Sequence, residues 1–203
     1  MRSARSVVVA AVILLASGKP ASAQSDSVAL WFQFGFGTGA ARIACDGCRS
    51  GWNLHGPSFA ISVVQPLTRR VGIGVGVDTW ARDPADSEAT NTGTLFVHYY
   101  PTVRRRLFVE AGAGPSEAAV GLKGDTVAYG KGWALMAGIG YDLRLFNTGA
   151  AYIILVPRVS YFYGSIGNLT YAAGRPPFAT GWKHQVLSAG IGLGLIGLKD
   201  DPE

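Results

Sequence analysis

A strict alternation of apolar and small residues is the feature that most limits what this chain can fold into. It is clearest in residues 71–78, where every second side chain is apolar (Val71, Ile73, Val75, Val77) and the residues between are Gly72, Gly74, Gly76 and Asp78. A period of two residues indicates extended strands whose two faces meet different surroundings. The same period recurs in residues 28–36, 59–63, 95–100, 107–114, 133–144, 153–163 and 187–195. The sequence therefore predicts eight β-strands and no helix after Gln24.

The segments between these strands alternate in length. Short links, which carry the turn formers Pro, Asn and Gly, lie at 65–70, 101–106 and 146–150. Long links rich in Gly, Pro, Asp, Ser and Thr lie at 38–57, 82–93, 115–131 and 164–183. An even number of antiparallel strands, with short turns at one rim and long loops at the other, is typical of transmembrane barrels. We therefore expect an up-and-down meander.

The polarity of the two strand faces decides what surrounds such a barrel. A soluble barrel also alternates, but its outer face carries many charged and polar side chains. Here one face is apolar and the other is mainly Gly, Ala and Ser, and only 15% of all residues are charged, against about a quarter in soluble domains. Tilted strands of about ten residues rise about 25 Å, the height of an outer-membrane hydrocarbon band. The prediction is an all-β, eight-stranded antiparallel transmembrane barrel with its apolar face in lipid. A soluble secreted ligand-binding barrel is the alternative.

The first 23 residues have the form of a secretory signal peptide. Arg2 and Arg5 precede an apolar run at 7–16, and Ala21-Ser22-Ala23 has the small-x-small form of a cleavage site. We expect a signal peptide at 1–23 and a barrel domain at 24–203. Loss of Arg2, Arg5 and Lys19 would lower the formal net charge from +5 to +2, which removes the main argument for nucleic-acid binding.

Ionisable residues on the small-residue face are predicted to meet inside the barrel. Buried charges must be paired, since unpaired burial is very costly. We expect Arg144 and Arg158 to neutralise Glu110 and Asp142 in a network that plugs the lumen rather than lining an open pore. A gated path for protons or small solutes is the alternative. The predicted lumen network consists of Asp78, His98, Glu110, Asp142, Arg144 and Arg158.

Cys45 and Cys48 lie in the first long link, within the segment ACDGC. In an exported protein two nearby cysteines most often form a disulfide, and we expect one here that staples the loop. Zinc prefers four ligands, and only His55 is close in sequence, so no metal site is predicted.

Several hairpins resemble those of small outer-membrane proteins of the OmpA/OmpX-like, eight-stranded kind. The resemblance covers residues 28–198 and rests on LFVHYYP followed by RLFVEAGAG, and on GIGYDLRL followed by VPRVSYFYG. The last strand, 188–195, is similar to the signal by which such proteins engage the barrel-assembly machinery. The resemblance implies insertion into a bacterial outer membrane without a periplasmic peptidoglycan-binding domain.

The expected function is structural or interaction-type, with outer-membrane lipids and the barrel-assembly machinery as partners, no cofactor, no nucleic acid, and a monomeric state. Arginines at 69–70 and 104–106 are expected at the periplasmic rim, where they would face water and anionic lipid. The first alternative is an enzyme that modifies outer-membrane lipid, but the His and Ser spacing of deacylase barrels is missing. The histidines and serines considered for that role are His55, His98, His184, Ser58, Ser160 and Ser188. A small-solute or hydrophobic-compound channel is the second alternative.

Overall fold

The computed structural model describes residues 28–82, 88–102, 106–122, 126–171 and 177–198. The predicted signal peptide, at 1–23, lies outside the described residues. None of the described residues forms a helix long and apolar enough to cross a membrane. The described residues form ten strands: β1 Val28–Cys45, β2 Cys48–Arg49, β3 Leu54–Pro66, β4 Val71–Ala81, β5 Glu88–Tyr99, β6 Leu107–Leu122, β7 Thr126–Tyr141, β8 Leu143–Asn147, β9 Ala151–Tyr171 and β10 Ala179–Leu198.

The strands close into a ring of antiparallel neighbours. The path runs β10-β1-β3-β4-β5-β6-β7-β9, and pairing of β9 with β10 closes it. β8 continues the line of β7 beyond Asp142 and pairs with the first part of β9, while the two-residue β2 folds back on β1. The predicted eight-stranded up-and-down barrel is confirmed. Within the described residues, closure gives each of the eight ring strands a neighbour on both sides, whereas lipid would penalise an unpaired edge heavily.

The apolar face of each strand points outward, as predicted. Around the barrel, Phe36 is 61% exposed, Leu95 60%, Leu135 61% and Leu193 54%. Side chains of this size are exposed in such numbers only where something other than water covers them. These residues form the apolar belt of a membrane barrel.

The interior is less dominated by small residues than the alternating pattern predicts. Large apolar side chains, each no more than 4% exposed, fill much of the lumen: Trp31, Phe96, Phe108, Met136 and Phe162. The expectation that small side chains crowd the axis is therefore wrong in part. The inward glycines instead leave space into which large side chains of a neighbouring strand can lie.

Gly140 shows how this packing works. It pairs with Phe108 across β6 and β7, and the Phe108 ring lies directly over the glycine. A Cβ atom at position 140 would run into this ring. Gly74 and Phe96 on β4 and β5 form a second such pair. Each glycine thus makes room for an aromatic ring that fills the lumen.

We expect Gly140→Ala to lower the free energy of unfolding by about 1–3 kcal/mol, because overpacking displaces Phe108 from its position. The matched control is Gly93→Ala on β5, where the nearest atom to a new Cβ is Pro115 Cγ at 3.8 Å. We expect the control to change stability by less than about 0.5 kcal/mol. Urea unfolding of the protein folded into lipid vesicles measures both. Equal losses in the two variants would contradict this packing.

The predicted long loops are mostly strand. β1 continues to Cys45, β6 and β7 extend to Leu122 and from Thr126, and β9 continues to Tyr171. The expectation of loops at 38–57, 82–93, 115–131 and 164–183 is therefore wrong for most of their length. In these extensions the inward residues are apolar and buried, as Ile43, Val120 and Leu169 are, whereas most outward residues are polar or small. The alternation is therefore reversed relative to the belt and is interrupted by turn-forming residues, although backbone pairing continues. The barrel wall rises well beyond its apolar belt.

Candidate functional site

An ion pair crosses the lumen at the level of Arg158. Arg158 on β9 lies diametrically opposite β4 in the ring, and its Nη1 is 3.5 Å from Asp78 Oδ1. Its Nη2 is 3.0 Å from Glu110 Oε2 on β6. The side chains of all three residues are at most 13% exposed. The Arg158 guanidinium therefore links β9 to both β4 and β6 through ion pairs.

His98 extends this cluster towards the short turns. Its Nδ1 lies 2.9 Å from Glu110 Oε1, and both side chains are 1% exposed. The imidazole also packs against Trp31 and Phe108, with ring centroids 4.5 and 4.3 Å apart. Charged and aromatic side chains together fill this cross-section of the barrel. We refer to Asp78, His98, Glu110 and Arg158 as the lumen ion cluster.

Two of the predicted network residues lie outside this cluster. Asp142, buried between β7 and β8, accepts a hydrogen bond of 2.8 Å from the Tyr100 hydroxyl. Arg144 is exposed, and its guanidinium carbon lies 4.7 Å from the centre of the Tyr152 ring. The expected ion pair between Arg144 and Asp142 is therefore replaced by a hydrogen bond and a cation–π contact. The reason is position: Arg144 stands at the short-turn mouth, where water can solvate its charge.

Two small cavities flank the lumen ion cluster. One, of about 40 Å³, is lined by Arg158 and Asp78 together with hydroxyl side chains such as Thr92 and Ser160. The other, of about 60 Å³, lies towards the short turns beside His98 and Asp142. Each has room for only a few water molecules. The cluster lies between them, because the first cavity touches Arg158 and the second touches His98.

A second buried polar group lies above the apolar belt. Ser116 on β6 is 3.0 Å from the Thr92 hydroxyl and 3.5 Å from His184 Nε2 on β10, which reaches across the lumen. His184 lies above the membrane-spanning part of β10, and burial lowers the pKa of its imidazole to about 4, so it is neutral at pH 7. The contact of His184 with Ser116 does not follow from the sequence, because Ser116 falls in the long link predicted at 115–131.

This pair is sealed from outside. Ser116 is fully buried, His184 is 1% exposed, and a substrate would have no room beside them. His184 Nδ1 has no hydrogen-bond partner among the described residues, so no acid orients the ring as hydrolytic sites require. The remaining candidates are apart: His55 is exposed on the outer face of β3, and Ser160 lines the first cavity. The contacts among Thr92, Ser116 and His184 link β5, β6 and β10 across the lumen.

Cys45 and Cys48 are joined by a disulfide at the turn between β1 and β2. Their Cα atoms lie 4.9 Å apart, as directly opposed residues of a hairpin do. Among the described residues, no group of three or more His, Cys, Asp or Glu side chains could hold a metal ion.

Solved structures share this fold. Neisserial surface protein A matches with a TM-score of 0.50 and 17% identity, over 81% of this chain and 96% of that one. Ail, the attachment invasion locus protein of Yersinia pestis, matches with a TM-score of 0.52 and 15% identity, over 82% and 99%. No protein-family model and no curated protein matches the sequence. At these identities the likeness shows the fold, and it confirms the resemblance to small eight-stranded outer-membrane barrels.

Proposed function

We propose that the protein is an integral barrel of a bacterial outer membrane that acts through its outer surface and hairpins, and is neither an open pore nor an enzyme. The likeness in fold to Neisserial surface protein A and Ail supports the outer membrane as its location. The apolar belt supports direct contact with lipid.

The observation that carries the proposal is the contact of Arg158 with both Asp78 and Glu110 across the lumen. An eight-stranded barrel has an interior just wide enough for side chains. Here that interior is occupied by charges bound to one another and by Trp31 and Phe108 packed around His98. Cavities of about 40 and 60 Å³ have room for a few water molecules but not for a solute the size of a sugar.

The surface that remains for function is the wall above the belt. β1, β6, β9 and β10 all continue beyond their last large outward apolar side chains. Paired strands hold their side chains in fixed positions, so this wall offers a rigid surface to lipids or to a partner. An enzymatic role has little support, because the Ser116 and His184 side chains are buried.

Planar-bilayer recordings test the closed lumen. We expect the purified full-length protein, folded into a bilayer, to show no steady unit conductance in potassium chloride, because the lumen ion cluster occludes the path. A general-diffusion porin inserted by the same procedure is the positive control. Stepwise currents that scale with salt concentration, together with swelling of liposomes in small sugars, would contradict the proposal and favour a channel.

A further inference from the structure

Three cationic side chains surround Ala44 on the outward face of the barrel. Ala44 pairs directly with Lys183 of β10 on one side and with Arg49 of β2 on the other. Directly opposed residues in an antiparallel pair project their side chains to the same face. Arg42 lies two residues earlier on β1, on the same face as Ala44 and the exposed Phe36. We name Arg42, Arg49 and Lys183 the cationic triad; the methyl group of Ala44 lies between them.

Within the described part of the chain, the cationic triad lacks the ion pairing that the outward-facing Lys131 has. No carboxylate lies within ion-pairing distance of any of its three members among the described residues. Asp46, the acid nearest in sequence, lies beside Thr180 and Gly181 of β10, where it accepts a hydrogen bond of 2.8 Å from the Thr180 hydroxyl instead of forming an ion pair with the triad. Elsewhere on the outer wall, Lys131 pairs with Glu117 at 3.0 Å, and the Thr79 hydroxyl donates to Asn91 at 2.8 Å. The triad thus brings three cations, none with an ion-pair partner among the described residues, to one side of the wall.

The height of the triad matches a layer of lipid headgroups. The last outward apolar side chain of β10 is Leu187, which is 46% exposed. Lys183 lies four residues further, about 13 Å along the strand and about 10 Å along the barrel axis if the strand is tilted by about 40°. Below the triad, Trp52 and Tyr161 lie 6.5 Å apart between ring centres, both on the outside. Such aromatic residues mark the boundary between hydrocarbon and headgroups.

The disulfide explains how Arg49 is placed. β2 has only two residues, and its pairing with β1 consists of Cys45 opposite Cys48 and Ala44 opposite Arg49. The Cys45–Cys48 bond holds this short hairpin closed, so the next residue, Arg49, is kept beside Ala44. Without it, a hairpin this short would have little to hold its register.

We propose that the cationic triad binds a phosphate group of an anionic lipid in the outer leaflet. Arginine forks and a lysine ammonium are the donors that phosphate oxygens prefer. The triad points sideways, on the same face as the apolar belt, so its natural partner is a lipid whose chains lie against that belt rather than a soluble polyanion. The inference rests on the proposed location in an outer membrane.

Lipid retention measured by native mass spectrometry tests the proposal. The full-length protein is released from detergent micelles that contain phosphatidic acid, or phosphatidylcholine as the neutral lipid. We expect selective retention of phosphatidic acid, and about a 100-fold weaker binding in the variant R42A/R49A/K183A, at about 1 kcal/mol per basic residue near a charged surface. The variant C45S/C48S should weaken binding about as much as Arg49→Ala alone, about fivefold.

Lys131→Ala is the matched control, since this exposed lysine is already neutralised by Glu117. It should leave retention unchanged. Equal retention by the triad variant and the wild type, or an equal loss in Lys131→Ala, would overturn the proposal. So would binding of inorganic phosphate or a sulfated polysaccharide in place of the lipid, because the site would then serve a soluble anion.

A gel-mobility assay distinguishes a failure of the proposed membrane location from a failure of the proposed lipid site. If the protein and its variants do not show the heat-dependent mobility of a folded barrel in the outer-membrane fraction, the proposed location fails. If they do show it and the triad variant retains phosphatidic acid as the wild type does, only the lipid site fails.

Discussion

Replacing Arg158 with alanine is expected to destabilise the folded barrel by about 3–5 kcal/mol, the cost of leaving buried charges without their partner. Arg158 lies 3.5 Å from Asp78 and 3.0 Å from Glu110, in a part of the lumen that water scarcely reaches. Its removal leaves two carboxylates facing each other across the barrel without the guanidinium between them. Urea unfolding in vesicles, followed by tryptophan fluorescence, measures the loss.

Two further variants separate charge from packing. The triple variant R158M/D78N/E110Q removes all three charges at similar volume and should recover most of the lost stability, since replacing a buried ion pair by neutral groups is often nearly neutral. Arg106→Ala removes an exposed arginine near a short turn and should change stability by less than about 0.5 kcal/mol. A loss in Arg158→Ala no greater than in Arg106→Ala would show that the cluster contributes nothing to stability.

The second large effect is expected at Leu95, which is 60% exposed on the outer face of β5. An arginine at the bilayer midplane of a transmembrane barrel costs about 2–4 kcal/mol, so Leu95→Arg should destabilise the protein by about that amount in vesicles. In a soluble barrel Leu95→Arg would cause no such loss of stability, because an arginine exposed to water replaces a leucine exposed to water. The same unfolding measurement decides between them.

Asn91→Arg provides the control for this prediction. Asn91 lies four residues along the same face of β5, above the apolar belt, and is exposed. Near the interface an arginine costs only about 0–1 kcal/mol. Equal losses at positions 91 and 95 would mean that no hydrocarbon layer surrounds Leu95, and the membrane assignment would fail.

The strands of the apolar belt are predictable from the sequence because alternate residues meet different surroundings. Outward residues must be apolar to lie in lipid, whereas inward residues must fit a narrow lumen. Residues 71–78 show this most clearly, with valine and isoleucine outward and glycine inward. Above the belt the inward residues, such as Ile43 and Leu169, are the apolar and buried ones, and the outward residues are mostly polar or small. The pattern of the belt is lost there, so the sequence predicts loops where β1 extends to Cys45 and β9 extends to Tyr171.

The side chains that fill the lumen are harder to predict from the sequence than the strands that enclose it. The alternation puts Phe96 and Phe108 on the inward face, yet the glycines around them predict a lumen lined by small side chains. Gly140 and Phe108 belong together, and only the pairing of β6 with β7 brings them into contact. The cationic triad likewise depends on which strands flank Ala44.

By itself the sequence determined the strands, their inward and outward faces, and the presence of ionisable groups inside, since each of these follows from the local period of two. Only the tertiary structure decided which groups meet. Arg158 reaches Asp78 because β9 and β4 stand opposite each other once the ring closes, whereas Arg144 stays at the mouth over Tyr152. Contacts across a lumen join residues far apart in the chain, and no local pattern encodes them.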